Sequence, residues 1–255
     1  MRALGRTWAG AWAEVWANRR GFWFQVSVMI VNDVIWIVFW YLFFDRVGEV
    51  RGWDIDDLII LFAILTTSAG VVLGGMANVR RLSALAIDGG LDAVLTLPTA
   101  TLPHLLVRRV ETPSIGDLLF GIVLFVVLGD PTPTRVLVFL FGVVCAVMIL
   151  LGFLVAIGSL GFFVGRNEGS DLGFHALLLF SSYPVDVFGG AVKVFLYTVV
   201  PAGFVTSVPA QLVADPDPAM AAAVAAVAAG VLAFGWFTFR TGLRRYTSGA
   251  GWTAA

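Results

Sequence analysis

The sequence contains few charged residues, one cysteine and one lysine. Charged residues make up 13% of the 255 positions and hydrophobic residues 59%, whereas about 25% charged and about 45–50% apolar residues are typical of soluble domains. This composition indicates an integral membrane protein. The lone cysteine, Cys145, excludes a disulfide within the chain and a CxxC metal site.

The lone lysine bears on ATP hydrolysis. A phosphate-binding loop needs a lysine directly after a glycine, but Lys193 follows Ala191 and Val192. The sequence has no GxSxG nucleophile elbow, and His104 and His175 are isolated from each other in sequence. We therefore predict no catalytic, cofactor-binding or metal-binding residue in this chain, and any ATP must be bound by a partner.

The apolar residues fall into several runs long enough to cross a bilayer, which takes about 20 residues in a helix. Short charged loops separate these runs and leave no room for a soluble catalytic domain. We predict an all-α integral membrane fold, with one domain over residues 1–255 and six transmembrane helices. The predicted helices cover residues 22–44, 58–79, 113–129, 136–164, 172–199 and 219–239.

An amphipathic helix is predicted ahead of the first span. Trp8, Trp12 and Trp16 recur at helical spacing on one side, and Arg6 lies on the other. Indole rings prefer the headgroup region of a membrane. We expect residues 1–21 to form an interfacial helix; the alternative is a frayed cytoplasmic tail.

The region before the last span is apolar for about 40 residues and is broken by Pro184, Pro201 and Pro209. That length is too great for one crossing. One kinked crossing at 172–199, followed by a partly inserted hairpin at 200–213 on the outer side, fits better than two crossings. A seventh crossing would place the arginines of the C-terminal tail outside the cell.

Arginine is distributed unevenly between the two sides of this topology. The N-terminal tail, the loops after the second and fourth spans and the C-terminal tail hold twelve of the fifteen arginines, whereas the other side holds Arg46, Arg51 and Arg135. Cytoplasmic loops of membrane proteins carry the excess of basic residues. We therefore predict that both termini lie in the cytoplasm.

A long cytoplasmic loop separates the second and third spans. Residues 80–98 of this loop read RRLSALAIDGGLDAVLTLP. The pattern predicts a short helix at the membrane surface, on which another protein could push, with Gly89 and Gly90 bending or ending it.

Charged residues inside the predicted spans are candidates for a transport pathway, because each is costly in lipid unless it is paired or hydrated. Asp33 lies near the middle of the first span beside Asn32, and we expect it to face the protein interior or a cavity. Asp186 and Lys193 lie seven residues apart in the fifth region. We expect Lys193 to reach the outer surface.

Tyr183 and Pro184 mark the kink of the fifth span and are further pathway candidates. A proline leaves a carbonyl one turn back without its donor, which a membrane tolerates only where protein or water satisfies the group. Two interpretations remain open: a bend that lines a cavity, and a static packing kink.

These features together resemble the permease subunits of type-2 ABC exporters. The likeness covers essentially the whole chain. It is similar to a bacterial branch in which the second loop carries an Ile-x-x-Gly-Leu-Asp pattern ending in Leu-x-x-Pro; here Ile87 to Pro98 reads IDGGLDAVLTLP. The sequence YPVDVFGG at 183–190 is also similar to that branch.

The resemblance implies a half-transporter in a bacterial plasma membrane. Two permease chains, identical or paired with a homologous sister, would join two cytoplasmic ATP-binding subunits, and ATP and Mg²⁺ would lie in those partners. The loop after the second span would be the coupling helix, inserted into a cleft of the ATPase. Its expected contacts are Arg80, Arg81, Leu82, Leu85, Asp88, Leu91 and Asp92.

The predicted function is export of a hydrophobic or amphipathic compound such as a drug, a natural product or a lipid-like molecule. A pathway with so few charges would poorly replace the hydration of a strongly polar solute. One alternative is a membrane-embedded enzyme that acts on a lipid or a peptide bond through Asp33, Asp186 or a histidine. Another is a scaffold or resistance protein that sequesters a toxic compound without ATP.

Overall fold

The computed structural model describes residues 2–97, 100–165 and 169–246, and this part of the chain is almost entirely helical. An isolated antiparallel bridge joins Val50 and Trp53 in the loop after the first span. The helices are α1 (Arg2–Ala17), α2 (Arg19–Val47), α3 (Ile55–Gly75), α4 (Leu82–Ile87), α5 (Asp92–Leu95), α6 (Thr101–Leu106), α7 (Thr112–Leu128), α8 (Pro133–Ser159), α9 (Gly161–Val164), α10 (Gly169–Ser181), α11 (Gly190–Thr198), α12 (Val208–Ala214) and α13 (Pro218–Leu243).

Four helical stretches of the described residues are long and apolar enough to cross a membrane: α2, α3, α8 with its continuation α9, and α13. α11 and residues 203–214 form a helix pair bent by 72°, which is either a broken span or a re-entrant loop. α7 is apolar but has only 17 residues. The chain is therefore a multi-pass membrane protein with four to five apolar spans.

α3 is the central helix of the fold. It packs against α7, α8, α2 and α12, and nearly every residue between Leu58 and Gly74 is buried. Glycines let it approach α7 closely: a Cβ at Gly70 would collide with Leu118, and one at Gly121 of α7 would collide with Thr67. Small residues at such contacts allow helices in lipid to gain dispersion energy over a long seam.

α8 and α13 make the other long helix pair of the described residues. Gly152 of α8 faces Gly235 of α13, and a Cβ on either residue would overlap the backbone of the other helix. The contact brings the last span against the C-terminal third of α8.

α2 lies at the edge of the bundle. It buries one stripe of residues at helical spacing, which includes Val26, Asp33 and Trp40, against its neighbours. Its remaining surface exposes large apolar side chains such as Phe24 and Ile35. In a bilayer this surface contacts lipid or another membrane helix.

The predicted interfacial helix corresponds to α1, which ends at Ala17. Its tryptophans do not share one environment. Trp8 and Trp16 are exposed, whereas Trp12 packs against a small cluster of α2 and α7 residues.

The predicted span 172–199 is not one continuous helix. α10 ends at Ser181 and α11 begins at Gly190, because Pro184 cannot continue the helix and Gly190 adopts a positive φ of 56°. The bent pair therefore begins ten residues earlier than the predicted hairpin 200–213 and takes in all of α11. With 13 residues, α10 rises only about 20 Å, less than the roughly 30 Å of a hydrocarbon core.

Candidate coupling loop and membrane-embedded charged groups

The loop between α3 and α7 is a folded unit. It begins with a 3₁₀ turn at Ala77–Arg81 and continues through α4, α5 and α6. Hydrogen bonds join its two ends: Asn78 Nδ2 donates to the Leu105 carbonyl at 2.8 Å, and the Ala77 amide donates to the Arg109 carbonyl at 3.2 Å. The predicted single helix over 80–98 is thus two short helices, and Pro98 lies outside the described residues.

Gly89 separates these two helices. Its φ of 75° lies in the left-handed region that glycine adopts without steric cost. The turn ends α4 at Ile87, and α5 begins at Asp92.

α4 is packed against the end of α8. A Cβ at Gly158 of α8 would lie 3.0 Å from the Leu82 Cβ, and one at Gly161 would press on Ser83. Leu82 is fully buried in this contact. A force applied to α4 would therefore reach a helix that crosses the membrane.

The apolar surface of the loop differs from the expected one. Leu82 and Leu91 are fully buried, so they cannot form a docking surface, and Leu85 is only partly exposed. Such short helices carry no pattern that identifies their inner face, so the sequence does not show which of their leucines are buried. The exposed residues of the loop segment are Arg80, Arg81, Ala84, Ile87 (38%), Asp88, Ala93, Leu95 (41%), Thr96 and Leu97 (41%).

Two of the polar side chains expected to contact the ATPase, Arg80 and Asp92, form contacts within this chain. Arg80 forms an ion pair with Glu111 at 3.2 Å, and its guanidinium lies 4.3 Å from the centre of the Phe174 ring. Asp92 accepts a 2.7 Å hydrogen bond from the Tyr246 hydroxyl. Burial, together with that bond and the negative charge of Asp92, raises the pKa of Tyr246 to about 12. These contacts anchor the loop to α10 and to the C-terminal end of α13.

A second site is a pair of carboxyl groups between α2 and α7. Asp33 is 3% exposed and Asp117 is 7% exposed, and the two side chains approach closely enough to interact. Asn32 Nδ2 donates to Asp33 Oδ1 at 3.5 Å, and Ser114, one turn before Asp117 in α7, is also buried. Asp33 Oδ2 is buried without a hydrogen-bond partner among the described residues.

The predictions from sequence do not include Asp117. It lies in the first turns of α7 beside the apolar run that begins at Ile115. The rule that selects Asp33, namely a charged residue inside an apolar helix, also applies to Asp117. Its partner is set by the crossing of two helices, which no sequence pattern specified.

The break at Pro184 is closed by side chains. In a continuous helix the Val185 amide would donate to the Ser181 carbonyl. Instead, the Val185 amide donates to Ser207 Oγ at 3.0 Å, and the Ser181 carbonyl accepts from Thr206 Oγ1 at 2.8 Å. Both partners lie in a π-helical stretch ahead of α12. Protein groups thus satisfy the backbone that the kink opens, as an apolar environment requires.

Asp186 is the most highly connected acidic side chain of this region. Its carboxylate accepts hydrogen bonds from Lys193 Nζ at 2.6 Å, Trp53 Nε1 at 3.0 Å and Gln211 Nε2 at 3.2 Å. Arg51 donates to its backbone carbonyl at 2.9 Å. Burial alone would raise the pKa of Asp186, but the hydrogen bonds, with that from Lys193 the strongest, lower it below the usual range. The residue joins the loop between α2 and α3 to both limbs of the bent pair.

The pathway candidates do not form one site in the described part of the chain. Tyr183 packs its ring 5.6 Å from that of Trp40, next to Pro184 and Asp186, whereas Asp33 lies with Asp117. Within the same residues no group of three His, Cys, Asp or Glu side chains is placed to hold a metal ion.

The bundle of apolar helices and the folded loop between α3 and α7 fit the result of a family comparison. Residues 30–250 match the family model described as ABC-2 family transporter protein. The chain belongs to the ABC-2 transporter family. It is therefore a permease subunit of a type-2 ABC transporter, from a family whose membrane subunits work with ATPase partners and are normally not enzymes. Comparisons with curated proteins and with solved structures gave no match.

Proposed function

We propose that this permease subunit belongs to an ATP-driven exporter and that residues 80–98 carry the motion of the ATPase into the membrane. Two features of the loop support this role. Ile87 and Leu95 expose apolar surface away from the bundle, while Leu82 on the same segment is locked against α8. A partner that binds Ile87 and Leu95 and then moves would also move Leu82 and the end of α8 that Leu82 contacts.

The proposed topology has six crossings, formed by α2, α3, α7, α8, α10 and α13. The bent pair of α11 and residues 203–214 would return to the outer side as a re-entrant hairpin. The 72° bend supports the re-entrant hairpin, and the arginine distribution supports cytoplasmic termini in a bacterial plasma membrane.

The proposed assembly contains two permease chains and two ATP-binding subunits that hold ATP and Mg²⁺. The second permease chain would be identical to this one or a homologous sister. The broad apolar surface of α2, on which Phe24, Ile35 and Tyr41 are exposed, supports contact with another membrane helix. ATP must come from a partner because Lys193, the only lysine, lies in an ion pair with Asp186 and in no phosphate-binding motif.

The proposed substrate is hydrophobic or amphipathic, as in drug efflux. A cavity of about 360 Å³ lies between α1, α6, α8 and α13, within the range of roughly 300–1,000 Å³ typical of ligand pockets. Its lining is apolar and includes Leu106, Val155 and Trp236. Such a lining suits the apolar part of a substrate and offers nothing to replace the hydration of a charged one.

The coupling role is tested by co-purification with the ATPase subunit after replacing Ile87 and Leu95 by Asp. We expect complex formation and transport-stimulated ATP hydrolysis to be lost, because two exposed apolar contacts become charged. The variant with Ile87→Leu and Leu95→Met keeps the apolar surface and serves as the matched control. An Asp variant that binds and activates the ATPase like the control would contradict the coupling role.

A further inference from the structure

A polar cavity of about 570 Å³ lies between α1 and the cytoplasmic loop. Its charged lining consists of Arg81, Arg108 and Arg109 from the loop and Glu14 from α1. Three positive charges and one negative charge leave a formal excess of two positive charges. The volume falls within the roughly 300–1,000 Å³ usual for ligand sites.

The backbone fixes the arginines relative to each other. Arg81 ends the 3₁₀ turn after α3, while Arg108 and Arg109 precede α7. The Asn78–Leu105 and Ala77–Arg109 hydrogen bonds described above join these two segments. The charges therefore converge because of the fold, although they are far apart in sequence.

These arginines lack acidic partners in the described part of the chain. The ion pairs found there join Arg80 to Glu111, Arg135 to Asp130 and Lys193 to Asp186. None of these ion pairs involves an arginine of the 570 Å³ cavity. A guanidinium that is not paired within the protein can bind phosphate through two parallel hydrogen bonds.

A smaller neighbouring cavity separates the roles of the three arginines. It measures about 300 Å³ and is lined by Arg81 and Arg109 together with Glu111 and Asp171. Of the two cavities, Arg108 lines only the larger. Arg108 is therefore the residue whose replacement reports on the larger cavity alone.

The cavity lies next to the ends of membrane helices. Arg109 precedes the first residue of α7 by three positions, and Arg81 follows the last residue of α3 by six. Its other wall is α1, whose exposed Trp8 and Trp16 suit the headgroup region. A phosphate at this depth belongs most simply to a lipid.

We propose that this cavity binds the headgroup of an anionic phospholipid of the cytoplasmic leaflet. Arg108 and Arg109 hold the phosphate, and Glu14 accepts a hydrogen bond from a headgroup hydroxyl such as that of phosphatidylglycerol. The site goes beyond transport itself, because it needs neither ATPase nor substrate.

The test measures lipid retention by the purified full-length chain with native mass spectrometry. The protein is exchanged into micelles that contain phosphatidylglycerol and phosphatidylcholine in equal amounts. We expect preferential retention of phosphatidylglycerol, and Arg108→Gln should lower that preference about fivefold, the contribution of one basic residue near an anionic surface. Arg240→Gln, a charge-matched change in the last turn of α13, should leave it unchanged.

Three results would overturn the proposal. Equal losses for Arg108→Gln and Arg240→Gln would show general attraction without a site. Retention of both lipids in equal amounts by the unaltered chain would show no anionic preference. Full competition by soluble glycerol phosphate would identify a free phosphate compound as the ligand instead of a lipid.

A second variant, Arg108→Lys, controls for the possibility that Arg108→Gln impairs folding. Arg108→Lys keeps the charge but cannot make the two parallel hydrogen bonds of a guanidinium. We expect a partial loss of the phosphatidylglycerol preference, with an unchanged elution profile. Wild-type retention by this variant would contradict direct contact between Arg108 and the phosphate.

Discussion

Lys193 Nζ lies 2.6 Å from Asp186 Oδ1, so the only lysine of the sequence pairs across the interruption between α10 and α11. The same carboxylate accepts hydrogen bonds from Trp53, in the loop between α2 and α3, and from Gln211 of α12. Asp186 therefore connects the chain segments around the interruption between α10 and α11. The connection explains how a chain interrupted by Pro184 keeps a defined hairpin.

Asp186→Asn should destabilise the protein more than Lys193→Gln. Hydrogen bonds to a charged group are stronger than those between neutral groups, and solvent screening reduces the contribution of the exposed Lys193 ammonium group. Asp186 accepts three such bonds, whereas Lys193→Gln removes one. Thermal unfolding followed by tryptophan fluorescence measures the order. Equal losses would mean that Trp53 and Gln211 contribute nothing.

The stability contributed by Asp186 should depend on pH. Its pKa in the folded protein is lowered, so the contribution is complete above the ordinary carboxyl pKa of about 4. It is lost as the pH falls through the lower folded pKa. The difference in unfolding temperature between wild type and Asp186→Asn should therefore be constant near neutral pH and shrink in acid. A difference that grows on acidification would contradict the assignment.

Close packing of α3 on α7 can be tested with two glycines of the same helix. A Cβ at Gly70 would collide with the Leu118 backbone, whereas one at Gly75 meets nothing within 4 Å. We expect Gly70→Ala to cost about 1–3 kcal/mol through overpacking. Gly75→Ala should be neutral or stabilising by up to about 1 kcal/mol, since alanine favours helix. Thermal unfolding checks both, and equal effects would show that the two helices can separate at little cost.

The helical membrane architecture followed from the sequence because lipid imposes a strong rule. Every backbone group of a span must bond within the helix, so long apolar runs predict α2, α3, α8 and α13 directly. The rule fails where other parts of the chain satisfy the backbone. Thr206 and Ser207 bond to the open groups beside Pro184, and neither residue signals that task in its own sequence.

The sequence identified the segments that carry the candidate sites. It did not show which side chains of each segment are buried. The loop from Arg80 to Pro98 stands out by its position between apolar runs. Which leucines point inward depends on Gly158 and the end of α8, about 70 residues away. For the same reason Asp33 could be selected as a buried charge, while its partner Asp117 could not.

The contact between Asp33 and Asp117 predicts different results for two substitutions of Asp117. Neither ionised carboxylate can donate a hydrogen bond, so a bond between the two needs a proton on one of them. Asp117→Asn supplies a permanent donor and should change the free energy of unfolding by less than about 1 kcal/mol. Asp117→Leu places an apolar side chain beside the buried carboxyl of Asp33, whose Oδ2 has no hydrogen-bond partner among the described residues, and should cost about 1–3 kcal/mol.

Thermal unfolding in detergent measures both Asp117 variants, and Asp33→Asn should behave like Asp117→Asn. If Asp117→Leu were as stable as wild type, the two carboxyl groups would not interact in the folded protein. Transport by the stable Asp117→Asn variant then separates two roles. A structural pair keeps transport intact, because the amide preserves the contact. A pair that must gain and lose its proton during the cycle loses transport while stability is retained, since an amide cannot release one.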